Sequence, residues 1–340
     1  MNNLYDFSYE KLKNHLVNAG FKPYNATQIF QWLYKKRITD FDQMSNISKR
    51  LRQYLKENFT TDTLECLTYQ TSTDDTVKFL FSLKDKHLIE TVWMAHYYGQ
   101  SLCITSQVGC NIGCLFCASG LKKKTRNLSV SEMVLQVLKA EEIQQKRVSH
   151  VVLMGTGEPF DNFENVMDFI EIINHPHGFE IGKRHITVST AGIVPMIDLF
   201  AQKQNQVNLA ISLHAANDNL RSKLMPINKV YPLKTLLSSA KAYTKTTNRR
   251  VTFEYLLLKG VNDKLSDADA LSDLIRDIHC YVNLIPYNSV KEFEYQGSDL
   301  PTQERFYKRL LKRGITATLR EEKGADIDAA CGQLRIKEEG

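Results

Sequence analysis

Six short apolar runs rich in β-branched and aromatic residues constrain the fold of this chain more than any other feature. They fall at 102–105, 148–154, 186–190, 209–213, 251–258 and 281–285. Between them lie amphipathic stretches long enough for helices, at 131–145, 162–174, 233–246 and 266–278. Strands that read as near-continuous apolar runs are buried on both faces, which is the pattern of a parallel sheet covered by helices. Alternation of such runs with helices predicts β/α units. The fold class expected is α/β, with the six strands closing into a full or partial (β/α)6-type barrel. A functional site belongs at the C-terminal ends of its strands.

The first 95 residues follow a different rhythm. Ser8 is placed to cap a helix ending near Asn18 and Gly20, with Leu12, Leu16 and Val17 facing inward, and Ser48 to cap one ending near Asn58. Ala26, Ile29, Phe30 and Leu33 repeat at helical spacing. Beyond residue 63, Val77, Phe79 and Phe81 alternate with polar positions, and Lys84-Asp85-Lys86 reads as a turn. Three units follow: a helical module over 1–62, a β-hairpin connector over 63–95, and a core over 96–335.

Charge separates these units further. The net charge is +6, yet residues 1–60 hold ten Lys/Arg against five Asp/Glu, while the rest of the chain holds 34 against 33. The runs Lys35-Lys36-Arg37 and Lys49-Arg50-Leu51-Arg52 stand among Tyr24, Phe30, Trp32, Tyr34 and Tyr54. A basic module with aromatics on a neutral body suits a polyanion such as RNA, although a solvated helix face has the same composition. Lys122-Lys123-Lys124 and Arg126 could serve RNA phosphates in the same way. No apolar stretch reaches the length of a membrane span, and the start of the chain is not a secretory signal. A cytoplasmic protein with reduced thiols is expected.

Four of the seven cysteines, Cys103, Cys110, Cys114 and Cys117, fall within 15 residues. The last three make a C-x3-C-x2-C loop directly after the first core run. A [4Fe–4S] cluster ordinarily takes four thiolates. Three from one loop leave one iron open, and an open position marks a reactive site. A structural zinc site completed by His96 or Cys103 is the alternative. At later strand ends lie Gly157-Glu158, Ser189, Ser212-Leu213-His214 and Asn288. Glycine permits close backbone approach to a ligand, and a carboxylate accepts hydrogen bonds from an ammonium group. A lone cysteine, Cys331, follows Gly324, Asp326 and Asp328. Cys66 and Cys280 match no motif and read as structural.

The C-x3-C-x2-C loop Cys110–Cys117, after the first strand of a β/α chain, resembles the radical S-adenosylmethionine (SAM) superfamily, and Ile89-Glu90-Thr91-Val92, Met154-Gly155-Thr156-Gly157-Glu158-Pro159 and Val188-Ser189-Thr190 begin to narrow the likeness. Ser212-Leu213-His214, Leu224-Met225-Pro226-Ile227-Asn228, Asn283-Leu284-Ile285-Pro286 and Asp326-Ile327-Asp328-Ala329-Ala330-Cys331-Gly332-Gln333-Leu334 narrow it. Together they resemble the RlmN/Cfr family of RNA adenine methyltransferases over essentially the whole chain. The resemblance implies a [4Fe–4S] cluster on Cys110, Cys114 and Cys117, with SAM held by Gly157, Glu158, Ser189, Ser212, Leu213, His214 and Asn288. It implies two SAM per turnover and an external one-electron reductant. One SAM methylates Cys331; a radical made from the second activates that methyl group, which then joins the adenine as a protein–RNA crosslink. Cys103 resolves the crosslink through a transient disulfide with Cys331, and Glu90 is the other candidate for taking the adenine proton.

The implied product is 2-methyladenosine at adenine 2503 of 23S rRNA and adenine 37 of certain tRNAs. The implied partners are those two RNAs and a reducing protein of flavodoxin type, with the enzyme a monomer. The rival readings are methylation at C8 of the same rRNA adenine, and a non-catalytic RNA-binding protein with a structural metal. Pro159-Phe160-Asp161-Asn162 after Gly157-Glu158 fits the C2 branch better.

Overall fold

The structure is a computed structural model and describes residues 1–204 and 206–334. Residue 335, the expected end of the core, lies outside the described residues.

The N-terminal module holds helices α1 (Tyr9–Asn18), α2 (Tyr24–Phe30) and α3 (Lys49–Asn58), with a wide π-type turn at Gln31–Lys35 continuing α2. A short parallel pair, β1 (Asn2–Asn3) with β2 (Phe59–Thr60), ties its two ends together. Leu12, Leu16, Ala26, Ile29, Phe30 and Leu33 are buried as their helical spacing predicts, and Leu51 and Leu55 are buried with them. Val17, expected to face inward beside Leu12 and Leu16, is exposed, because it sits one residue and about 100° round the helix from Leu16. Ser48 Oγ accepts from Leu51 N–H at 3.1 Å, so α3 is capped by its side chain. Ser8 sits at the start of α1 without that bond.

The connector is not a separate hairpin. β3 (Glu65–Thr71), β4 (Val77–Ser82) and β5 (Leu88–His96) form an antiparallel meander, and β5 continues antiparallel onto β6 (Gly99–Cys103). β6 is the first strand of the core, so the boundary expected near 95 falls inside a hydrogen-bonded hairpin. The sheet passes through it without a break, because backbone groups buried at that seam need partners and each strand supplies the other's.

All six apolar runs form strands. After β6 come β9 (His150–Leu153), β10 (Ile186–Thr190), β11 (Asn208–Ser212), β12 (Val251–Leu257) and β13 (Cys280–Pro286). A seventh parallel strand, β14 (Ala317–Leu319), has only three residues, too few for a period to declare it. The sheet order is β14-β13-β12-β11-β10-β9-β6-β5-β4-β3, whose ends do not pair: the barrel is open. Helices α4 (Val130–Gln144), α5 (Phe163–Asn174), α6 (Val194–Lys203), α7 (Asp218–Leu224), α8 (Leu233–Thr247), α9 (Leu265–Ile275) and α10 (Leu300–Lys312) join the strands. α4 begins with a reciprocal cap, Ser129 with Glu132. A small ladder, β7 (Gln107–Val108) with β8 (Arg126–Asn127), closes the base of the cysteine loop. Among the described residues no helix is long and apolar enough to cross a membrane.

Candidate active site at the strand ends

The cysteine loop is held by main-chain bonds at both flanks. Cys110 N–H donates to Lys122 O at 3.0 Å, Leu115 N–H to Leu224 O at 2.9 Å, and Ala118 N–H to Gly332 O at 2.7 Å. Cys110, Cys114 and Cys117 border one cleft with Gly157, Glu158, Ser189, Ser212 and His214. Burial pushes the Cys110 thiol up to about 12 and raises Cys114 and Cys117. Among the described residues no group of three or more His, Cys, Asp or Glu side chains is drawn together around a single metal ion; the three loop cysteines share the cleft without converging on one point.

Glu158 ends the turn after β9 and is buried. Its carboxylate accepts from Phe160 N–H at 3.0 Å and from Ala191 N–H at 2.7 Å, so it bridges the ends of β9 and β10. Desolvation still pushes it up to about 7. Gly157 has φ +113°, and a Cβ there would stand 2.7 Å from Gln107 Cβ. The close approach that demands glycine is therefore to β7, a contact within the protein.

His214 carries a left-handed backbone, φ +58°, a strained state for a non-glycine residue at a site. Its Nδ1 accepts from Leu256 N–H at 3.1 Å. That bond leaves the proton on Nε2. Burial, and secondarily Arg221, holds the ring's pKa down at about 3, so the imidazole is neutral. Phe116 packs edge-on against it at 4.8 Å. Leu213 lies fully buried, outside the cleft lining; its carbonyl accepts from Arg221 Nε at 3.1 Å.

Arg221 escaped the sequence reading. It is fully buried, and its Nη2 donates to Ala191 O at 2.8 Å and Ser212 O at 2.9 Å, while Nη1 donates to Asn228 Oδ1 at 2.9 Å. It knits the ends of β10 and β11 beneath the cleft. The signal available was Asn228 within Leu224-Met225-Pro226-Ile227-Asn228.

Cys331 borders two clefts. On one side is the cleft of the three loop cysteines; on the other is a small pocket shared with Cys103, Asn288 and Arg320. Asn288 therefore belongs with the paired thiols and not with the larger cleft. All seven cysteines are free. Burial first, and Cys331 second, pushes Cys103 up to about 12. Arg320 Nη1 donates to Cys331 Sγ at 3.0 Å. The Cys331 segment is tied down at both ends: to the cysteine loop through Gly332 O and through Ser119 Oγ–Leu334 O at 3.1 Å, and to the β3–β4 turn. There Asp326 accepts from Ser72 Oγ at 2.5 Å and Thr73 N–H at 3.2 Å.

Glu90 lines neither of the two clefts that Cys331 borders. Its carboxylate pairs with Lys78 at 3.3 Å and borders a third cleft, of about 920 Å³, with Thr105, Lys86, Lys122 and Lys123. That cleft meets the cysteine cleft at Ser119 and Leu334. Arg126 is not available to a phosphate: Glu132 holds it in a fork of two 2.8 Å bonds and Asp85 takes its Nε at 2.7 Å. Lys124 pairs with Asp161 at 2.6 Å.

An open parallel β/α barrel with three cysteines on the loop after its first strand defines a radical SAM enzyme. Residues 104–271 match the model of the radical SAM superfamily, and 2–60 that of the ribosomal RNA large subunit methyltransferase N-terminal domain. A radical SAM methyltransferase from Sphaerobacter thermophilus superposes with a TM-score of 0.92 at 42% identity, covering 98% of this chain and 99% of that one. The probable dual-specificity RNA methyltransferase RlmN of Staphylococcus carnosus (strain TM300) is 52% identical, covering 98% of this chain and 93% of the relative. That of Acholeplasma laidlawii (strain PG-8A) is also 52% identical, with 98% of each chain covered. The chain belongs to the RlmN family of dual-specificity RNA methyltransferases and is a SAM-dependent RNA methyltransferase.

Proposed function

We propose that this enzyme methylates C2 of adenine in 23S rRNA and in tRNA, using Cys331 as the methyl carrier and Cys103 as the resolving thiol. The observation that carries the reading is the position of Cys331 between the cleft of the three loop cysteines and the pocket of Cys103. A carrier must face the cleft in which it receives its methyl group and stay within reach of the thiol that resolves it.

Superfamily membership implies a [4Fe–4S] cluster and SAM, and the residues fit them. Three soft donors share one desolvated cleft, and cluster iron would hold them there as thiolates. Cys110, Cys114 and Cys117 would hold the cluster, which when bound with SAM supplies the radical chemistry. Ser189, Ser212 and neutral His214 present polar groups to SAM from successive strand ends. Glu158 orders the floor of that cleft through Phe160 and Ala191.

The adenine enters through the third cleft, where Lys86, Lys122 and Lys123 meet its phosphates. Its base leaves the stack to reach the cysteines. Glu90 lines that path and is one candidate to take the adenine proton, Cys103 being the other; attack of Cys103 on the Cys331 sulfur breaks the sulfur–methylene bond of the crosslink and leaves a disulfide for later reduction. The reduction calls for an external electron donor, consistent with a small redox protein.

The test is anaerobic turnover on unmodified 23S rRNA and tRNA with nucleoside mass spectrometry. 2-Methyladenosine supports the reading; 8-methyladenosine replaces it with the C8 reaction. Cys103→Ala is expected to accumulate a protein–RNA crosslink and Cys331→Ala to form none. Free methylated RNA from both variants sinks the two-thiol scheme.

A further inference from the structure

Two thiols line the small pocket, and one guanidinium distinguishes them. Arg320 follows β14, and its own N–H donates to Leu284 O at 2.8 Å, which fixes where the side chain begins. From there Nη1 reaches Cys331 Sγ at 3.0 Å, and Nη2 lies 3.9 Å from Met94 Sδ. A guanidinium has donors only, so the contact draws on a sulfur lone pair. The Cys331 sulfur first, and after it the Glu254 carboxylate and the Cys103 sulfur, hold the proton of Arg320 more firmly against its burial; only Cys331 also takes a hydrogen bond from it. Glu254 is itself committed to Asn283 Nδ2 at 2.8 Å. Cys103 lies in the same pocket but deeper, where burial opposes its ionisation.

We propose that Arg320 is a catalytic residue for S-methylation of Cys331, its guanidinium carrying the charge of the attacking thiolate and aiming the sulfur into the SAM cleft. This rests on the reading of Cys331 as methyl carrier. The thiol proton passes to water. A sulfur lone pair then forms the new bond to the methyl carbon. The sulfonium takes back the pair of its broken bond and leaves as a neutral thioether, S-adenosylhomocysteine. The charges of thiolate and sulfonium cancel in this step, which favours it in a dry cleft once a thiolate can persist there. Arg320 supplies that persistence. The gain has a ceiling, because a sulfur whose charge is shared with a guanidinium is also a weaker nucleophile, the sensitivity of rate to basicity being about one half.

The decisive experiment follows labelled methyl from SAM onto Cys331 in the full-length holoenzyme, anaerobically and without RNA, by peptide mass spectrometry. Arg320→Gln keeps a donor without the charge and is expected to slow methylation about threefold to tenfold. Arg320→Lys keeps the charge and should recover most of the rate. A glutamine variant as fast as the wild type overturns the proposal. A second measurement needs no variant: alkylation of the wild-type protein by anionic iodoacetate and by neutral iodoacetamide. A guanidinium on the sulfur predicts a higher iodoacetate-to-iodoacetamide ratio at Cys331 than at Cys66. Equal ratios overturn the pairing. Wild-type protein that takes no methyl on Cys331 refutes the carrier reading instead, and the reagent ratio then still tests whether Arg320 charges this sulfur.

Discussion

Glu158 and Arg221 do opposite electrostatic work at the two sides of β10. Glu158 is a buried acid raised to about 7 from an ordinary 4.5. A folded pKa above the unfolded one stabilises the fold below about 4.5 and loses that contribution as pH rises through about 7. Denaturant midpoints measured across that window should fall with pH in the wild type and fall less steeply in Glu158→Gln. The variant starts lower by about 1–3 kcal/mol, because one backbone N–H of Phe160 or Ala191 loses its acceptor. An unchanged slope would relieve Glu158 of that role. Arg221 is a buried cation whose donors satisfy Ala191 O, Ser212 O, Leu213 O and Asn228 Oδ1. Arg221→Met strands those acceptors and should cost about 3 kcal/mol or more by chemical denaturation. Neither role can be read from sequence, where Glu158 stands as a ligand residue and Arg221 as one more basic residue.

At the scale of elements, the basic N-terminal module divides its charges. Lys11 pairs with Asp168, Lys35 with Glu180 and Arg37 with the buried Glu141, all across to the core. Lys49 and Arg50, at the start of α3, are exposed; Arg50 rests on the Phe21 ring at 5.0 Å. The two sets should therefore separate in experiment. Lys49→Ala with Arg50→Ala is expected to lower the slope of log affinity against log salt for RNA by about 1.5, with thermal stability unchanged. Arg37→Ala should instead lower stability, since it leaves the buried Glu141 with only the longer 3.3 Å ion pair to Arg147. Salt slopes equal to the wild type would remove α3 from the RNA interface. The meander β3–β5 also has work beyond connection: its β3–β4 turn, through Ser72 and Thr73, anchors Asp326 and so the segment that carries Cys331. Of the two acidic residues before that cysteine, Asp326 is an anchor.

Across the whole molecule, one ten-stranded sheet joins what the sequence divides into connector and core. Hydrogen exchange should accordingly find the amides of β5 protected to the same degree as those of β6 and β9, and opening with them. Faster, independent exchange in β5 would restore a separate connector. The sequence by itself determined the six parallel strands, the helical basic module and the three-cysteine loop. Each rests on local pattern: runs of β-branched residues, the helical repeat, and ligand spacing within a few residues. Tertiary structure alone decided that β14 extends the barrel, that Glu90 faces a different cleft from Cys103, and that Asn288 sits with the thiols. It also placed Arg320 on Cys331, across 11 residues of chain. Such contacts depend on where separate strand ends meet, and no repeat along one segment encodes that meeting.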